Sequence, residues 1–205
     1  MEGMGAGMSG PYVDLHIHSI YSDGSLTPVE IAESAHENGV ALLAAADHDT
    51  IKGVSETRAA CAKYDINCIT ATEIDSLDGN INFHILAYDF DINNEEFIDF
   101  LGHARFLLDE SSVKLVELMH RDYNDISISD YMDFTYERRL GGWKALHYLK
   151  EKGLTATLKE GIKFYAQYNL AYEMSGYSTI AAIAYRIKKA NGYSILAHPG
   201  ELIDS

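Results

Sequence analysis

The feature that most constrains this chain is the segment of residues 14–24, with the sequence DLHIHSIYSDG. Its first residues follow an apolar start and read as the end of a β-strand that runs into a loop. Alternate residues of a strand share a face, so His16 and His18 are expected side by side. With Asp23, the segment offers two imidazoles and a carboxylate, which are usual ligands of zinc, manganese and iron. The alternative is a polar strand end with two solvated histidines.

A second group of polar residues follows a buried strand. Residues 27–30 (TPVE) form a capping box with proline at the first helical position, which predicts a helix after the first loop. The apolar run at 40–46 is typical of a strand buried on both faces of a parallel sheet. It ends in Asp47, His48 and Asp49, as the strands of α/β active sites do. The alternative is a helix-capping aspartate beside a passive histidine.

Three further segments extend this pattern. Residues 67–73 predict a strand that ends in Glu73, residues 81–88 predict a strand that carries His84, and a late strand ends at His198. Alternating strands and helices predict a parallel sheet or barrel, in which the strand ends meet on one face. The expected metal ligands are His16, His18, Asp23, His48, Glu73, His84 and His198. Five histidines and two carboxylates exceed the needs of one zinc and suffice for two or three divalent ions.

The charge of the chain restricts its partners. Its formal net charge is -15, from 31 acidic and 16 basic residues. A field of this sign repels long nucleic acids and gives no reason to expect a membrane partner, whereas bound metals would still attract a small phosphate ester. No segment has the length of a membrane span. Cys61 and Cys68 read as buried free thiols, which fits a cytoplasmic location.

The composition and hydrophobic periodicity of the sequence predict three regions. Residues 1–10, rich in glycine and methionine, are expected to be a disordered leader. Residues 93–176 follow helical periodicity and predict a helical insertion, since they are too long for a plain loop. Residues 11–92 and 177–205 then form the α/β part. Because no helix follows the last strand, this part is expected to be truncated at its C-terminus.

At these residues the sequence resembles the polymerase and histidinol phosphatase (PHP) family, and in particular its stand-alone metal-dependent phosphoesterases. The matching stretches are residues 14–24, residues 47–50, Glu73, residues 84–88 and residues 197–200. The resemblance implies a distorted (β/α)7 barrel with a trinuclear metal site. It also implies a late Asp-x-His motif that these residues do not include, so the barrel is expected to be incomplete.

The resemblance further implies how the ligands are shared among the ions. The first ion would be held by His16, His18 and Glu73, and the second by Glu73, His84 and His198. Asp23 and His48 would hold the third. Glu73, His48 and Asp23 are therefore the expected catalytic residues, and two or three Zn, Mn or Fe ions the expected cofactors. Such ions lower the pKa of a shared water and bind phosphoryl oxygens, which would hydrolyse a phosphate ester.

Substrate selection is expected from the helical insertion. Arg138, Arg139 and His147 cluster there beside Trp143, and a guanidinium could bind a second phosphate while an aromatic ring stacks on a base. The alternative is a solvated basic turn and a tryptophan in the core, which is the commoner situation of such groups.

The expected function is hydrolysis of small phosphorylated or nucleotide substrates. Three alternatives remain: an exonuclease of the same family, against which the acid excess argues; a catalytically inactive fragment that binds metal; and a deacetylase-like amidohydrolase with similar ligands.

Overall fold

The computed structural model describes residues 11–79, 81–170 and 176–202. The leader expected at residues 1–10 lies outside the described residues, as do positions 203–205 at the end of the expected α/β part. Asn80, in the predicted turn before the fourth strand, and residues 171–175 of the predicted insertion are also outside them.

The first half of the chain folds as the βα units that the sequence predicts. Three strands form a parallel sheet in the order β1 (Tyr12–Ile17), β2 (Val40–Ala45), β3 (Asn67–Cys68). Helix α1 (Pro28–Glu37) connects β1 to β2, and helix α2 (Val54–Ala62) connects β2 to β3. Parallel neighbours need such crossovers, because the chain must return to the same end of the sheet.

Local chemistry explains where α1 begins and what it covers. The Thr27 hydroxyl accepts a hydrogen bond from the Glu30 amide, and the Glu30 carboxylate accepts one from the Thr27 amide, which confirms the predicted capping box. The inner face of the helix packs Ile31 with Leu43 of β2 and Cys61 of α2, all at most 1% exposed. Cys61 and Cys68 are free thiols, as expected, although Cys68 is only half-buried.

The second sheet departs from the prediction. Strands β4 (Ala71–Asp78), β5 (Ile81–Tyr88) and β6 (Tyr193–Leu196) pair antiparallel in that order. The parallel arrangement expected for them is wrong, because only two residues separate the end of β4 from the start of β5, and a connection that short can only form a hairpin. The single strand expected at 67–73 is also wrong: the chain leaves β3 after Cys68 and starts β4 at Ala71 in the other sheet.

A short parallel bridge joins the two sheets. His48 bridges Glu73; the Glu73 amide donates to the Asp47 carbonyl at 3.2 Å, and the Asp49 amide donates to the Glu73 carbonyl at 2.8 Å. The described strands therefore form a mixed α/β fold of two joined sheets. No closed barrel is found among the described strands, so the (β/α)7 barrel is not confirmed.

Between β5 and the last strand, the regular elements of the described residues are helical. They are α3 (Glu95–Met119), α4 (Ile128–Asp133), α5 (Lys144–Glu151), α6 (Leu158–Gln167) and α7 (Ile180–Lys189), with a short 3₁₀ helix at Arg138–Leu140 between α4 and α5. Even α3, the longest described helix, lacks the apolar length needed to cross a bilayer, and the same holds for the other helices in the described ranges. The helical periodicity of the sequence is thus confirmed for the described residues.

Helix α3 belongs to two cores. Its first turns pack Phe97 and Leu101 against the β4–β5 hairpin and α7. Its last turns pack Leu115 and Met119 against α4, α5 and α6, around the buried ring of Tyr148. The helix therefore fixes the helical group relative to the second sheet.

The loop after β1 is closed by a direct backbone contact at Gly24. Its amide donates to the Ser19 carbonyl at 3.0 Å, and a Cβ at this position would lie 2.1 Å from the His18 carbonyl oxygen. No real side chain tolerates that distance, so only glycine lets the loop fold back upon His18.

Replacing Gly24 by alanine is expected to lower the free energy of unfolding by about 1–3 kcal/mol, because the loop must shift to relieve overpacking. Gly102 is the matched control: it lies in α3, and a Cβ added there would meet nothing within 4 Å. Gly102→Ala should instead stabilise by about 0.5–1 kcal/mol, as alanine does within a helix. Urea unfolding of the chelator-treated variants measures both, and equal effects would contradict the contact at Gly24.

Candidate metal centre

Glu73 lies at the middle of a cluster of imidazoles. It belongs to β4, and its side chain is 1% exposed. One carboxylate oxygen, Oε2, faces the Nε2 atoms of His16, His18 and His48 at 2.9, 3.0 and 3.3 Å. The other oxygen, Oε1, faces His84 Nδ1 at 3.1 Å and His198 Nε2 at 3.0 Å. Each oxygen thus has its own group of ring nitrogens.

Two triangles of ligand atoms result. In the first, His16 Nε2 and His18 Nε2 are 3.0 Å apart and share Glu73 Oε2. In the second, His84 Nδ1 and His198 Nε2 are 3.2 Å apart and share Glu73 Oε1. These are the first two ligand sets that the family resemblance implies, and the structure brings the members of each together.

The spacing within each triangle fits a metal ion. Two ligands about 2.1 Å from one ion, at angles of about 90–110°, lie about 3.0–3.4 Å apart. The edges of both triangles measure 2.9–3.2 Å. Imidazole nitrogens and carboxylate oxygens are also the donors that Zn, Mn and Fe accept. The residues present therefore suit divalent cations in both number and spacing.

Asp23 meets the cluster from its outer side. Its Oδ1 lies 2.8 Å from His18 Nδ1, the nitrogen opposite to the one that faces Glu73. A carboxylate in this position fixes the tautomer and orientation of a ligand imidazole. Asp23, His18 and His48 also place ligand atoms within 4.8 Å of one another, so Asp23 and His48 are close enough to hold the expected third ion together.

Sequence reasoning missed Asp75. It lies two residues after Glu73 on the same face of β4, is 4% exposed, and stands directly opposite His84 in the strand register. Its Oδ1 is 3.0 Å from His84 Nε2 and 3.9 Å from His48 Nδ1. His48, Asp75 and His84 form a further group that could hold an ion. The i, i+2 spacing from Glu73 was the available signal.

The route by which the residues converge also differs from the expected one. Glu73 and His84 lie within antiparallel strands instead of at the ends of parallel ones. His48 is placed by its bridge to Glu73, and His198 by the bond from the Ala197 amide to the His84 carbonyl at 2.9 Å. The ligands are therefore brought together by strand pairing around β4, and not by meeting at one face of a barrel.

The carboxylates alter the protonation of two histidines. Burial is the largest influence on both rings and lowers the pKa, but the carboxylates outweigh it. Asp23 and Glu73 raise the pKa of His18 to about 9, and Asp75 and Glu73 raise the pKa of His84 to about 10. In the absence of a metal, both rings therefore carry a proton at neutral pH.

The other two members of the centre respond differently. Burial raises the pKa of Glu73, but hydrogen bonds from His16, His18 and His84 outweigh burial and hold the pKa well below its usual value. For His48, burial is the largest influence and lowers the pKa in spite of the carboxylates nearby. The Glu73 side chain is thus ionised, and the histidines around it have different pKa values: the carboxylates outweigh burial at His18 and His84 and raise their pKa, whereas burial prevails at His48 and lowers its pKa.

The neighbouring aspartates hold backbone and loops. Asp47 accepts from the Ser19 amide at 2.8 Å and from the hydroxyls of Ser19 and Ser22, both at 2.6 Å. Asp49 accepts from the Asp75 amide at 3.3 Å, and Asp14 from the His16 amide at 3.2 Å. The carboxylates that contact ligand imidazoles are instead Asp23 and Asp75.

The predicted substrate residues lie in a segment close to the centre. Arg139 pairs with Glu30 at 2.7 Å, Arg138 donates to the Tyr136 hydroxyl at 2.9 Å, and His147 contacts the Gly141 carbonyl at 2.7 Å. These bonds are within the protein, and the assignment of the three residues to substrate stays a prediction.

The next residues of that segment reach the centre itself. The Gly142 amide donates to the Asp23 carbonyl at 2.7 Å. The ring of Trp143 lies with its centroid 5.8 Å from that of His48. The helical part of the chain therefore borders the metal centre at Trp143.

Comparison with known proteins identifies the family of this chain. The family model described as the PHP domain matches residues 14–195. The 5′-3′ exoribonuclease of Haemophilus influenzae is 29% identical over 190 residues, covering 91% of this chain and 68% of that protein. The 5′-3′ exoribonuclease of Escherichia coli is 25% identical, covering 91% and 65%. The chain thus spans about two thirds of the length of these relatives.

A shorter match is the 3′,5′-nucleoside bisphosphate phosphatase of Chromobacterium violaceum, 39% identical over 79 residues, covering 38% of this chain and 28% of that protein. All three relatives are hydrolases by name.

Two solved structures share the fold. One is described as a metal-dependent phosphoesterase from Bifidobacterium adolescentis, with a TM-score of 0.74, 25% identity, and coverage of 93% of this chain and 68% of that one. The other is an amidohydrolase from Chromobacterium violaceum, with a TM-score of 0.73, 23% identity, and coverage of 92% and 67%. Because the family match runs over most of the sequence and includes the residues around Glu73, this chain belongs to the PHP domain family.

Proposed function

We propose that this chain is a metal-dependent phosphoesterase acting on nucleotide-type substrates. The observation that carries the proposal is the environment of Glu73. One carboxylate oxygen faces three imidazole nitrogens and the other faces two, all at 2.9–3.3 Å. A carboxylate shared in this way suits two ions side by side, the arrangement that phosphate-ester hydrolysis uses.

The side chains then have separate roles. Glu73 would bridge two ions, with His16 and His18 on one and His84 and His198 on the other. His48, with Asp23 or Asp75, would hold a third. Bound ions would supply a water of lowered pKa and positive charge for the phosphoryl oxygens. Asp23 and Asp75 hold the rings of His18 and His84 in orientation from their outer nitrogens.

The comparisons support phosphate esters of nucleosides as the substrate class. One relative is named for 3′,5′-nucleoside bisphosphates, and two are named 5′-3′ exoribonucleases. The net charge of -15 favours the small substrate, since repulsion grows with the number of phosphates left outside the centre. Removal of nucleotides from the 5′ end of short RNA is the second candidate, favoured by the exoribonuclease matches over 91% of this chain.

Glu73→Gln is the test of this function. The amide has one oxygen and no charge, so it cannot bridge two ions, and we expect loss of stoichiometric Mn²⁺ binding and about a thousandfold or greater loss of phosphate release. Metal content after dialysis and phosphate release from adenosine 3′,5′-bisphosphate are the measurements. A 5′-phosphorylated ribo-oligonucleotide assayed in parallel decides between the two candidates.

The matched control is Glu37→Gln, the same change at an exposed position of α1. It should keep the metal content and rate of the wild type. If Glu73→Gln bound Mn²⁺ and released phosphate as Glu37→Gln does, the proposed function would be wrong.

Asp75→Asn tests the residue that the sequence pattern did not reveal. An amide cannot hold the same charge beside His84 and His48, so Mn²⁺ affinity should fall by about 10–100-fold, the usual effect of removing a carboxylate that orients a ligand. Calorimetric titration measures the affinity. Asp78→Asn, at the exposed end of the same strand, is the control and should bind like the wild type; equal affinities for the two variants would exclude a role for Asp75.

The stability of the metal-free chain should fall as the pH rises from about 6.5 to 9.5. An unfolded histidine has a pKa of about 6.5, whereas His18 and His84 titrate at about 9 and about 10 in the folded chain. Between these values the folded state binds more protons, so raising the pH favours unfolding. Saturating Mn²⁺ should reverse the trend, because protons and cations compete for the same nitrogens.

Urea unfolding in chelator and in Mn²⁺, at several pH values, measures this dependence. His84→Gln should flatten the decline, whereas His103→Gln, on the exposed face of α3, should keep it. A metal-free stability that is constant or increases with pH would contradict the assignment of these protons.

A further inference from the structure

A cavity of about 170 Å³ lies beside the metal centre, within the helical part of the chain. Its described walls come from α3, α5, α6 and the residue before α5, together with Leu170 and Tyr177, which lie between α6 and α7. They are mainly apolar and aromatic, and include Leu108, Ser111, Trp143, Leu146, Ile162 and Tyr165. None of the described lining residues is charged. The cavity therefore suits an uncharged ring and not a phosphate.

Trp143 is common to the cavity and the metal centre. It lines the cavity, and its ring centroid is 5.8 Å from that of His48. The guanidinium of Arg105 lies over the same ring, 4.8 Å from its centroid, and holds its plane. The Trp143 side chain thus lies between the candidate metal centre and the cavity. A molecule whose anionic group is bound at that centre can place a ring next to Trp143.

We propose that this cavity receives the base of a phosphorylated nucleoside whose phosphate lies at the Glu73 centre. The proposal rests on the proposed function and deepens it, since it assigns the part of the chain that distinguishes nucleotides from other phosphate esters. Selection by the cavity is independent of the predicted roles of Arg138, Arg139 and His147.

Size and chemistry favour a base as the occupant. A dry cavity of about 150 Å³ lined by apolar side chains takes up benzene, so the volume observed here accepts a ring system but not a whole nucleotide. The wall is not entirely apolar: Ser112 donates to the Leu108 carbonyl and lies 2.8 Å from Tyr165 Oη, so the hydroxyl oxygens remain to accept from an exocyclic amino group. An apolar pocket with a few polar groups is the usual form of a small-molecule site.

The positive charge of Arg105 completes the arrangement. Its side chain is 21% exposed and lies 3.4 Å from Asp109 Oδ2, on the side of Trp143 that faces α3. Trp143, over which this guanidinium lies, lines the cavity and borders the metal centre, so Arg105 adds positive charge near an anionic substrate whose base is in the cavity.

The chain contains a single tryptophan, so its fluorescence reports on the surroundings of Trp143, and the Ser111→Phe variant assigns a change in it to the cavity. Titration of the metal-free 205-residue chain with adenosine, which has a base but no phosphate, should quench Trp143 in a saturable manner. Ser111→Phe places a ring in the cavity and should weaken adenosine binding by about tenfold, within the range of base–aromatic stacking. Ser34→Phe, the same change on the exposed face of α1, should bind adenosine like the wild type.

A second measurement compares phosphate release from adenosine 5′-phosphate and from ribose 5-phosphate in Mn²⁺. The wild type should prefer the nucleotide in kcat/KM, and Ser111→Phe should reduce that preference about tenfold while Ser34→Phe retains it. If neither of these compounds, nor adenosine 3′,5′-bisphosphate, nor the ribo-oligonucleotide is hydrolysed, but adenosine still quenches Trp143 and Ser111→Phe weakens the quenching, the proposed function fails and the pocket stands. If both are hydrolysed without preference and adenosine does not quench Trp143, the pocket is overturned and the function stands.

Discussion

A buried carboxylate that must remain charged is the constraint on which this structure depends. Removing the Glu73 charge from water costs several kcal/mol unless partners of opposite charge compensate for it. In the metal-free chain, the partners are protonated rings, since the pKa values of His18 and His84 lie at about 9 and about 10. A divalent ion would replace those protons and compensate the same charge more strongly, so its binding would be coupled to folding at one residue.

The strand that carries Glu73 also organises the surrounding backbone. β4 pairs with β5 along its length and bridges His48 at the end of the first sheet, so one strand fixes ligands from both sheets. Asp47, one residue before His48, accepts three hydrogen bonds from Ser19 and Ser22 and thereby holds the loop that leads to Asp23. Displacing β4 would therefore move ligands that are far apart in the sequence.

The ligands could be predicted from the sequence because each carries a local signature. His16 and His18 alternate along a strand, and His48 follows an apolar run. Their convergence was predicted for the wrong reason, since antiparallel pairing, which depends on the short turn between β4 and β5, brings His84 opposite Asp75. Local patterns do not report such cross-strand partners. The PHP resemblance, stated from the motifs alone, is confirmed by the family match, whereas the closed barrel is not.

The cavity that we propose for the base was harder to predict, because it depends on contacts between helices. Arg138 and Arg139 are adjacent basic residues, and this pattern predicted a phosphate contact, yet Arg139 is paired with Glu30 on α1. Arg105 has no basic neighbour in the sequence, but the packing of α3 places it over Trp143. A chain with a net charge of -15 repels an anionic substrate at most of its surface, so the position of an arginine beside the metal centre matters more than the presence of a basic pair in the sequence. Both candidate substrates would present one nucleotide to such a site, but the RNA would leave further phosphates outside it, where the acidic surface repels them.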